Sequence, residues 1–428
     1  MTLPPPLAKV TPRALMVLSL AGLVYVFAAL ERISPPVVAL DIMNALGLKP
    51  DDLSLMFSLT FIAYALTQPI AGFGADWIGP KRCLLAATIF LGGASIWFSY
   101  SQSLWSAALA RALVGLAAGF VFVPAVRLAA NWLPPRHFAM ASSCILAASA
   151  LSNFLAGSPL ARSADRFGWR WSFFALGLAG LALSGLVLAL IADHPRPGPG
   201  HPQEHPQELP QKRPAKTPHF WPSARQIFSH PMFWLISLVY TGTDLLYDTF
   251  TGLWAGPYLI EAHGLSAVAA GDILSTASLG FLVGGPLVVF WGNRWGSYSK
   301  VLICLTLGNI GLTSFIIWGP AQSPPWMLYL LCLAAPLGVH GTGLIFALSK
   351  NYFPENITGT LIGFLNLMPF LAGALMQNIV GFILARLQAD PLTGALTAHE
   401  QYAQAFIPVL FWSFLTFMAS VWLHSKKH

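Results

Sequence analysis

Charged side chains are scarce in this chain: Asp, Glu, Lys and Arg together supply 9% of its 428 residues. An ordinary soluble domain carries about 25%, so the deficit excludes a fold whose surface is solvated by water on all sides. Cysteine is nearly missing too. Cys83, Cys144, Cys304 and Cys332 lie in or at the ends of apolar runs and none is close in sequence to another. That spacing opposes a disulfide framework and a cysteine-based metal site. No Gly-x-x-x-x-Gly-Lys-Ser/Thr stretch occurs, so ATP hydrolysis by the chain itself is not indicated. No nucleophile pattern or metal-ligand spacing stands out, and the expectation is a non-enzyme with no cofactor and no metal centre. A cleavable leader is not expected either, because the tail Met1–Arg13 runs into a first apolar stretch that reads as retained.

What fills the chain is apolar residue: 56% is hydrophobic and the mean hydropathy is +0.64. Stretches of about 20 apolar residues can cross a hydrocarbon core of roughly 30 Å. Here they recur over 14–37, 53–75, 83–100, 105–128, 139–160, 171–191, 231–255, 269–291, 300–319, 326–349, 358–385 and 405–424. In lipid each backbone group must find its partner within the segment, and the short alternating segments of a barrel are not the pattern here. The fold class expected is therefore an all-α membrane protein with twelve transmembrane helices. With the N-terminus inside, fifteen Lys and Arg fall in cytoplasmic segments and five, Lys49, Arg162, Arg166, Arg170 and Arg386, in outer loops. This bias follows the positive-inside rule and puts both termini in the cytoplasm. The net charge of +7 is accounted for as a topology signal, with lipid and not nucleic acid as the partner.

The chain also repeats itself. A shift of 217 residues carries Gly47-Leu48 onto Gly264-Leu265, Pro69 onto Pro286 and Gly79 onto Gly296. A shift of 220 carries Asn131-Trp132-Leu133-Pro134 onto Asn351-Tyr352-Phe353-Pro354. Internal duplication in a polytopic chain points to a transporter made from two copies of one membrane unit. The copies are expected as six-helix bundles over 1–191 and 231–428, joined by 192–230. The joining stretch is rich in proline and carries His194, His201, His205 and His219. So much proline opposes a helix, and so little apolar surface cannot build a core. A flexible cytoplasmic tether is expected there, in preference to metal capture by its histidines.

Between the second and third apolar runs stands Gly72-x-x-x-Asp76-x-x-Gly79-x-Lys81-Arg82. Arg111-x-x-x-Gly115-x-x-x-Gly119 lies in the fourth run, Asn131-Trp132-Leu133-Pro134-Pro135-Arg136 follows it, and Gly168-Trp169-Arg170-Trp171-Ser172-Phe173-Phe174 opens the sixth. Together these segments resemble the signatures of the major facilitator superfamily in its twelve-helix bacterial permease form, and the resemblance covers the whole chain. It implies two pseudo-symmetric bundles around a central cavity, alternating access, and a conformational latch at Gly72, Asp76, Gly79, Lys81 and Arg82. Glycine at positions 72 and 79 permits the close approach and tight turn such a loop needs. The chain departs from the family pattern in two places. Trp77 stands where a basic residue is usual, and the second copy keeps Arg294 and Gly296 but has Asn293 in place of the acid. The latch would then rest on Asp76 with Lys81 or Arg82.

A charge inside a span costs about 2.5–3.5 kcal/mol on insertion scales and calls for a reason. Arg111 is one such charge, with Gly115 and Gly119 on its face allowing close helix packing. It is expected to bind an anionic substrate or to hold a carboxylate of a proton cycle; a structural ion pair is the alternative. Asp244 and Asp248 share a helix face with Tyr240, Tyr247 and Thr251, a stripe suited to lining a central cavity and to loading and releasing protons. The shift of 217 places Asp248 on Glu31, whose neighbour Arg32 could neutralise it. His340, within Gly338-Val339-His340-Gly341-Thr342-Gly343, is a further titrating candidate. The expected pathway set is thus Glu31, Arg32, Arg111, Tyr240, Asp244, Tyr247, Asp248 and His340, with Tyr25, Tyr64, Gln68, Asn153, Asn366, Gln377 and Asn378 as polar lining.

The function these features imply is an ion-coupled permease for a small solute: an organic anion, a zwitterion, or a metal ion or chelate such as iron. Ala156-Gly157-Ser158-Pro159 is only a partial antiporter signature, which favours symport or facilitated transport over drug export. An exporter, and a transport-inactive scaffold or receptor in a specialised membrane, are the alternatives. The expected location is the bacterial inner membrane or an internal membrane derived from it, and the expected state is a monomer, with a membrane complex as the alternative.

Overall fold

The structure is a computed structural model that describes residues 11–133, 145, 148–194, 220–349, 351–354, 357–389 and 396–425, the side chains of 35, 69, 72–77, 220 and 358–359 excepted. Among the described residues there are helices and turns and no strand. Nine helices among the described residues are long and apolar enough to cross a membrane by length and composition. They are span one (Pro12–Ile33), three (Pro80–Tyr100), four (Leu104–Trp132), six (Trp169–Leu190), eight (Ala267–Trp295), nine (Tyr298–Trp318), ten (Pro325–Ser349), eleven (Thr360–Ala389) and twelve (Ala398–Ser425). Helical segments over 50–77, 149–167 and 231–262 take the places of spans two, five and seven, which completes the expected twelve.

Local chemistry sets the boundaries. Span one begins where the Thr11 hydroxyl accepts from Ala14 N at 3.2 Å, with Pro12 at the first helical position. It stops at Ile33, earlier than the apolar run does, because Pro35 and Pro36 cannot continue the ladder, and a short 3-10 turn, Pro35–Val38, follows. Span twelve starts at Ala398, well before its apolar run, because Thr397 and Glu400 form a reciprocal capping box. Residues Phe220–Ser229 of the joining stretch are helical, with Ala224 and Ile227 buried. His201, His205 and His219 lie outside the described residues.

The duplication is visible in the backbone. Gly47 and its copy Gly264 have φ of 62° and 65°, and Gly79 and its copy Gly296 have φ of 93° and 58°. Side chains rarely adopt that conformation, so both copies kept glycine at the same two turns.

The apolar core divides unequally. At the end remote from the joining stretch one continuous cluster takes residues from both halves, among them Val37, Phe57, Phe98 and Trp169 from the first and Phe250, Trp254, Tyr258 and Phe406 from the second. At the joining end each half has its own cluster, one around Val17, Leu84, Val121 and Val187 and the other around Phe233, Val301, Ile345 and Leu361. Large apolar side chains such as Phe90, Trp105, Leu116, Phe290, Phe411 and Met418 are exposed on the outside, as expected where lipid replaces water.

Candidate functional site

Two charges adjacent in sequence go separate ways. Glu31 and Arg32 end span one, and consecutive helical residues point about 100° apart. Glu31 turns into its own half. Its carboxylate Oε2 lies 3.9 Å from Arg111 Nη1, and both side chains are 0% exposed. Arg111 also donates from Nη2 to the Glu31 carbonyl at 2.8 Å and the Arg32 carbonyl at 3.4 Å. Its guanidinium sits between the rings of Phe57 and Phe98, 5.3 and 5.5 Å from their centroids. Gly115 and Gly119, on the next two turns of span four, bring that helix against the Thr60 carbonyl and the Thr67 hydroxyl of span two. Arg111 is therefore packed inside the first half, and the two side chains thought able to neutralise each other, Glu31 and Arg32, face different partners.

Arg32 is half-buried and faces the seam between the halves. Its Cζ is 4.7 Å from the ring of Tyr64, 5.9 Å from Phe61 and 5.3 Å from Phe370 of the second half. Among the described residues no hydrogen bond or ion pair engages its guanidinium. Its charge is within electrostatic reach of Asp248, Tyr247, Tyr25 and Tyr64.

Span seven supplies the opposite wall. It is α-helical to Leu246, then π-helical over Tyr247–Trp254 and again over Tyr258–Ala262; such widened turns recur at functional sites. Asp244 is 7% exposed and its Oδ1 accepts from the Thr243 hydroxyl at 2.9 Å. Asp248, 4% exposed, keeps Oδ2 without a hydrogen-bond partner. Span eleven braces the widened turn: Gln377 Nε2 donates to the Asp248 carbonyl at 2.8 Å, Trp254 Nε1 donates to the Gln377 carbonyl at 3.2 Å, and Gly373 lies against the Asp248 side chain. Asn309 of span nine donates to the carbonyls of Gly242 and Thr243 at 2.7 and 3.0 Å.

Hydrogen bonds cross the seam at several depths. Tyr247 donates to Asn153 Oδ1 at 2.9 Å, Asn366 Nδ2 to Gln68 Oε1 at 3.2 Å, and Asn378 Nδ2 to the Ser58 hydroxyl at 2.7 Å. Tyr240 donates to Asn366 Oδ1 at 3.1 Å. A small cavity of about 20 Å³, room for one water, lies beside Asn153 and Tyr247, with Ile33, Gly157, Thr251 and Leu274 among its walls. At the remote end Arg162 of span five forms a two-point ion pair with Asp272 of span eight at 2.9 and 3.0 Å, and Ser158 N donates to Ser275 Oγ at 2.6 Å.

His340 does not join the acids. It lies on a 3-10 segment, Ala335–Gly341, interrupting span ten, and packs on Gly284 and Gly285 of span eight. Its ring is 5.5 Å from Phe281, which in turn is 5.1 Å from Tyr247. Nε2 of His340 is buried without a partner.

The latch segment is described in part. The side chains of Gly72-to-Trp77, Asp76 included, lie outside the described residues. Gly79 makes the turn at φ 93°, Lys81 donates from its backbone N to Asp193 Oδ1 and from Nζ to the Leu188 carbonyl, each at 2.7 Å, and Arg82 is exposed. Lys81 is thus engaged by the end of span six. Asp193 was not singled out in the sequence, and neither were Phe61, Phe370 and Asn309. An acid after an apolar run and phenylalanines within one carry no pattern of their own; only the folded neighbourhood marks them.

Two bundles of six helices, repeated in turn geometry and enclosing titratable groups at their seam, define a polytopic transporter architecture. The Major Facilitator Superfamily model matches residues 20–377, and the chain belongs to that family. It is 22% identical over 399 residues to the hexuronate transporter of Escherichia coli K12, covering 90% of each chain. It is 27% identical over 180 residues to a probable sulfoacetate transporter of Cupriavidus necator, 42% of each. Among solved structures it superposes with a TM-score of 0.74 at 18% identity on a bacterial homologue of the human lysosomal transporter Spinster, covering 96% of this chain and 98% of that one. The chain is a multi-pass membrane protein of a permease family.

Proposed function

We propose that the chain is a secondary permease for a small organic anion, driven by alternating access and coupled to protons. The observation that carries this reading is Arg32: a half-buried cation at the seam between the halves, held by three aromatic faces and by no ion pair or hydrogen bond among the described residues. Aromatic faces steady a guanidinium and leave its in-plane N–H donors free for a carboxylate or sulfonate. The named solutes of the two relatives above, hexuronate and sulfoacetate, are both anions.

Coupling follows from the charges that face Arg32. Asp248 lies within its electrostatic reach, so the ionised acid competes with a substrate anion for that cation. Protonation of Asp248 frees Arg32 for substrate, and departure of substrate favours proton release. Asp244, one turn away, adds a second carboxylate to the same wall, and Glu31 with Arg111 forms a separate buried pair. With the joining stretch in the cytoplasm, the shared core at the remote end closes the outer side and the separate cores leave the inner side free to part. Gly72, Asp76, Gly79, Lys81 and Arg82 act as the latch of that inner side, with Lys81 held by Asp193.

Uptake of labelled glucuronate, sulfoacetate and benzenesulfonate into sealed proteoliposomes, with and without an imposed proton gradient, tests this. Gradient-dependent accumulation of at least one anion, lost in Arg32→Gln and uncoupled in Asp248→Asn, is expected. No flux of any of them from folded, reconstituted protein rejects the permease and favours a receptor or scaffold.

A further inference from the structure

Most polar groups near Arg32 are bonded to one another, although Gln68 Nε2, Asp248 Oδ2 and Thr251 Oγ1 stay without a partner. Tyr240 is bonded to Asn366, Asn366 to Gln68, Tyr247 to Asn153, and the Tyr25 hydroxyl accepts from Ser149 at 3.2 Å. Rings make up the rest of the surroundings of Arg32: Phe61, Tyr64 and Phe370 lie against the guanidinium itself, with the centroids of Tyr64 and Phe370 4.8 Å apart across the seam. The charges are just as one-sided. Arg111 is consumed by Glu31, leaving Arg32 to face the carboxylate of Asp248, with Asp244 next to that acid on the same helix.

From this arrangement we infer that the site takes an aromatic monoanion, its single carboxylate or sulfonate on Arg32 and its flat body between the rings of Tyr64 and Phe370. The inference rests on the anion-permease reading and narrows it. A sugar acid brings a set of hydroxyls of which Gln68 Nε2, Asp248 Oδ2 and Thr251 Oγ1 can pair only some, and the rest must break an existing hydrogen bond or go unpaired once out of water. A diacid brings a second negative charge towards Asp244 and Asp248, and among the described residues Arg32 is the cation that acts on Asp248. An aromatic body needs neither. It replaces ring-to-ring contact across the seam with ring-to-substrate contact of the same kind, in offset or edge-to-face geometry. The seam between Tyr64 and Phe370 also joins the two halves, so a flat substrate inserted there would engage both bundles at once.

The test compares initial uptake of benzenesulfonate, cyclohexanesulfonate, glucuronate and sulfoacetate into proteoliposomes; the sulfonates are chosen because they do not cross lipid as neutral acids. The expected order puts benzenesulfonate first. Cyclohexanesulfonate, equal in charge and near in size, falls about fivefold behind for want of ring contacts, and glucuronate about a hundredfold. Phe370→Leu keeps an apolar side chain and is expected to erase the preference for benzenesulfonate over cyclohexanesulfonate, read as the ratio of their two initial rates in the same preparation. An unchanged ratio in Phe370→Leu overturns the inference. So does glucuronate or sulfoacetate uptake that matches or exceeds benzenesulfonate and is lost in Arg32→Gln, an outcome that leaves the anion permease standing. Uptake of every anion unaffected by Arg32→Gln removes both.

Discussion

Glu31 of span one and Arg111 of span four meet at 3.9 Å with neither side chain exposed, and both carboxylate oxygens of Glu31 lack a hydrogen-bond partner. A long, under-bonded ion pair in a dry site is costly to assemble and costlier to break on one side only. Arg111→Met should therefore lower stability by about 3–5 kcal/mol, because it leaves Glu31 buried alone. Glu31→Gln combined with Arg111→Met should recover much of that loss. Thermal unfolding in detergent of the two single variants and the double variant measures the coupling. Losses that simply add would mean that the pair is not a unit.

The π-helical turn of span seven depends on a side chain from another helix. Gln377 donates to the Asp248 carbonyl at 2.8 Å while being 0% exposed, so Gln377→Ala leaves a buried carbonyl unpaired at a cost of about 1–3 kcal/mol. Hydrogen exchange should rise over 247–254 in that variant and stay unchanged in span three. Gln377→Glu, which keeps the length but loses the donor when ionised, should not rescue it. Protection of 247–254 equal to wild type in Gln377→Ala would show that the widened turn stands without its brace.

The acidic end of the stability profile should depend on His263, which follows span seven. Burial and the neighbouring His399, 6.2 Å away between ring centroids, push it below its ordinary value of 6.5, and a hydrogen bond with the Ala321 backbone partly restores it. A base with a lowered folded-state value stays neutral in the native protein while the unfolded chain takes up a proton. Its contribution is then intact above pH 6.5 and is lost as pH falls through that value towards the folded one. The apparent melting temperature should drop on acidification, and the drop should be shallower in His263→Gln. An identical pH profile in the variant would place the acid sensitivity elsewhere.

The fold was legible because lipid simplifies the code: apolar length, the sign of loop charges and a repeat of 217 residues suffice to count spans and pair them. Glycines at 47, 79, 264 and 296 told the same story twice, since a positive φ demands them at both copies. Span ends were less legible. Proline after Ile33 and the capping box at Thr397 moved two of them away from the limits of hydropathy. The site was legible as a set of residue types and not as a geometry. That Glu31 and Arg32 part company follows from helical rotation, but which one meets Arg111 depends on how spans one and four cross. The aromatic faces around Arg32 come from spans two and eleven, in different halves of the chain, and no local pattern joins Tyr64 to Phe370.

The remote end of the molecule is closed by backbone proximity more than by charge. Arg162 and Asp272 are 56% and 35% exposed, and a solvated pair of that kind contributes about 0–1 kcal/mol. Beneath it Gly157 and Gly271 let spans five and eight touch, and a side chain added at Gly271 would run into Ala161 and the Gly157 carbonyl. Arg162→Ala should therefore barely alter stability or uptake. Gly271→Val should wedge the halves apart there and slow uptake, at a packing cost of about 1–3 kcal/mol. Ser275→Cys, placed at the same crossing where the serine is 8% exposed, reports the difference. Maleimide labelling of that cysteine should be slow alone, slow with Arg162→Ala, and fast with Gly271→Val. Fast labelling with Arg162→Ala would make the ion pair, and not the glycine contact, the closure of this end.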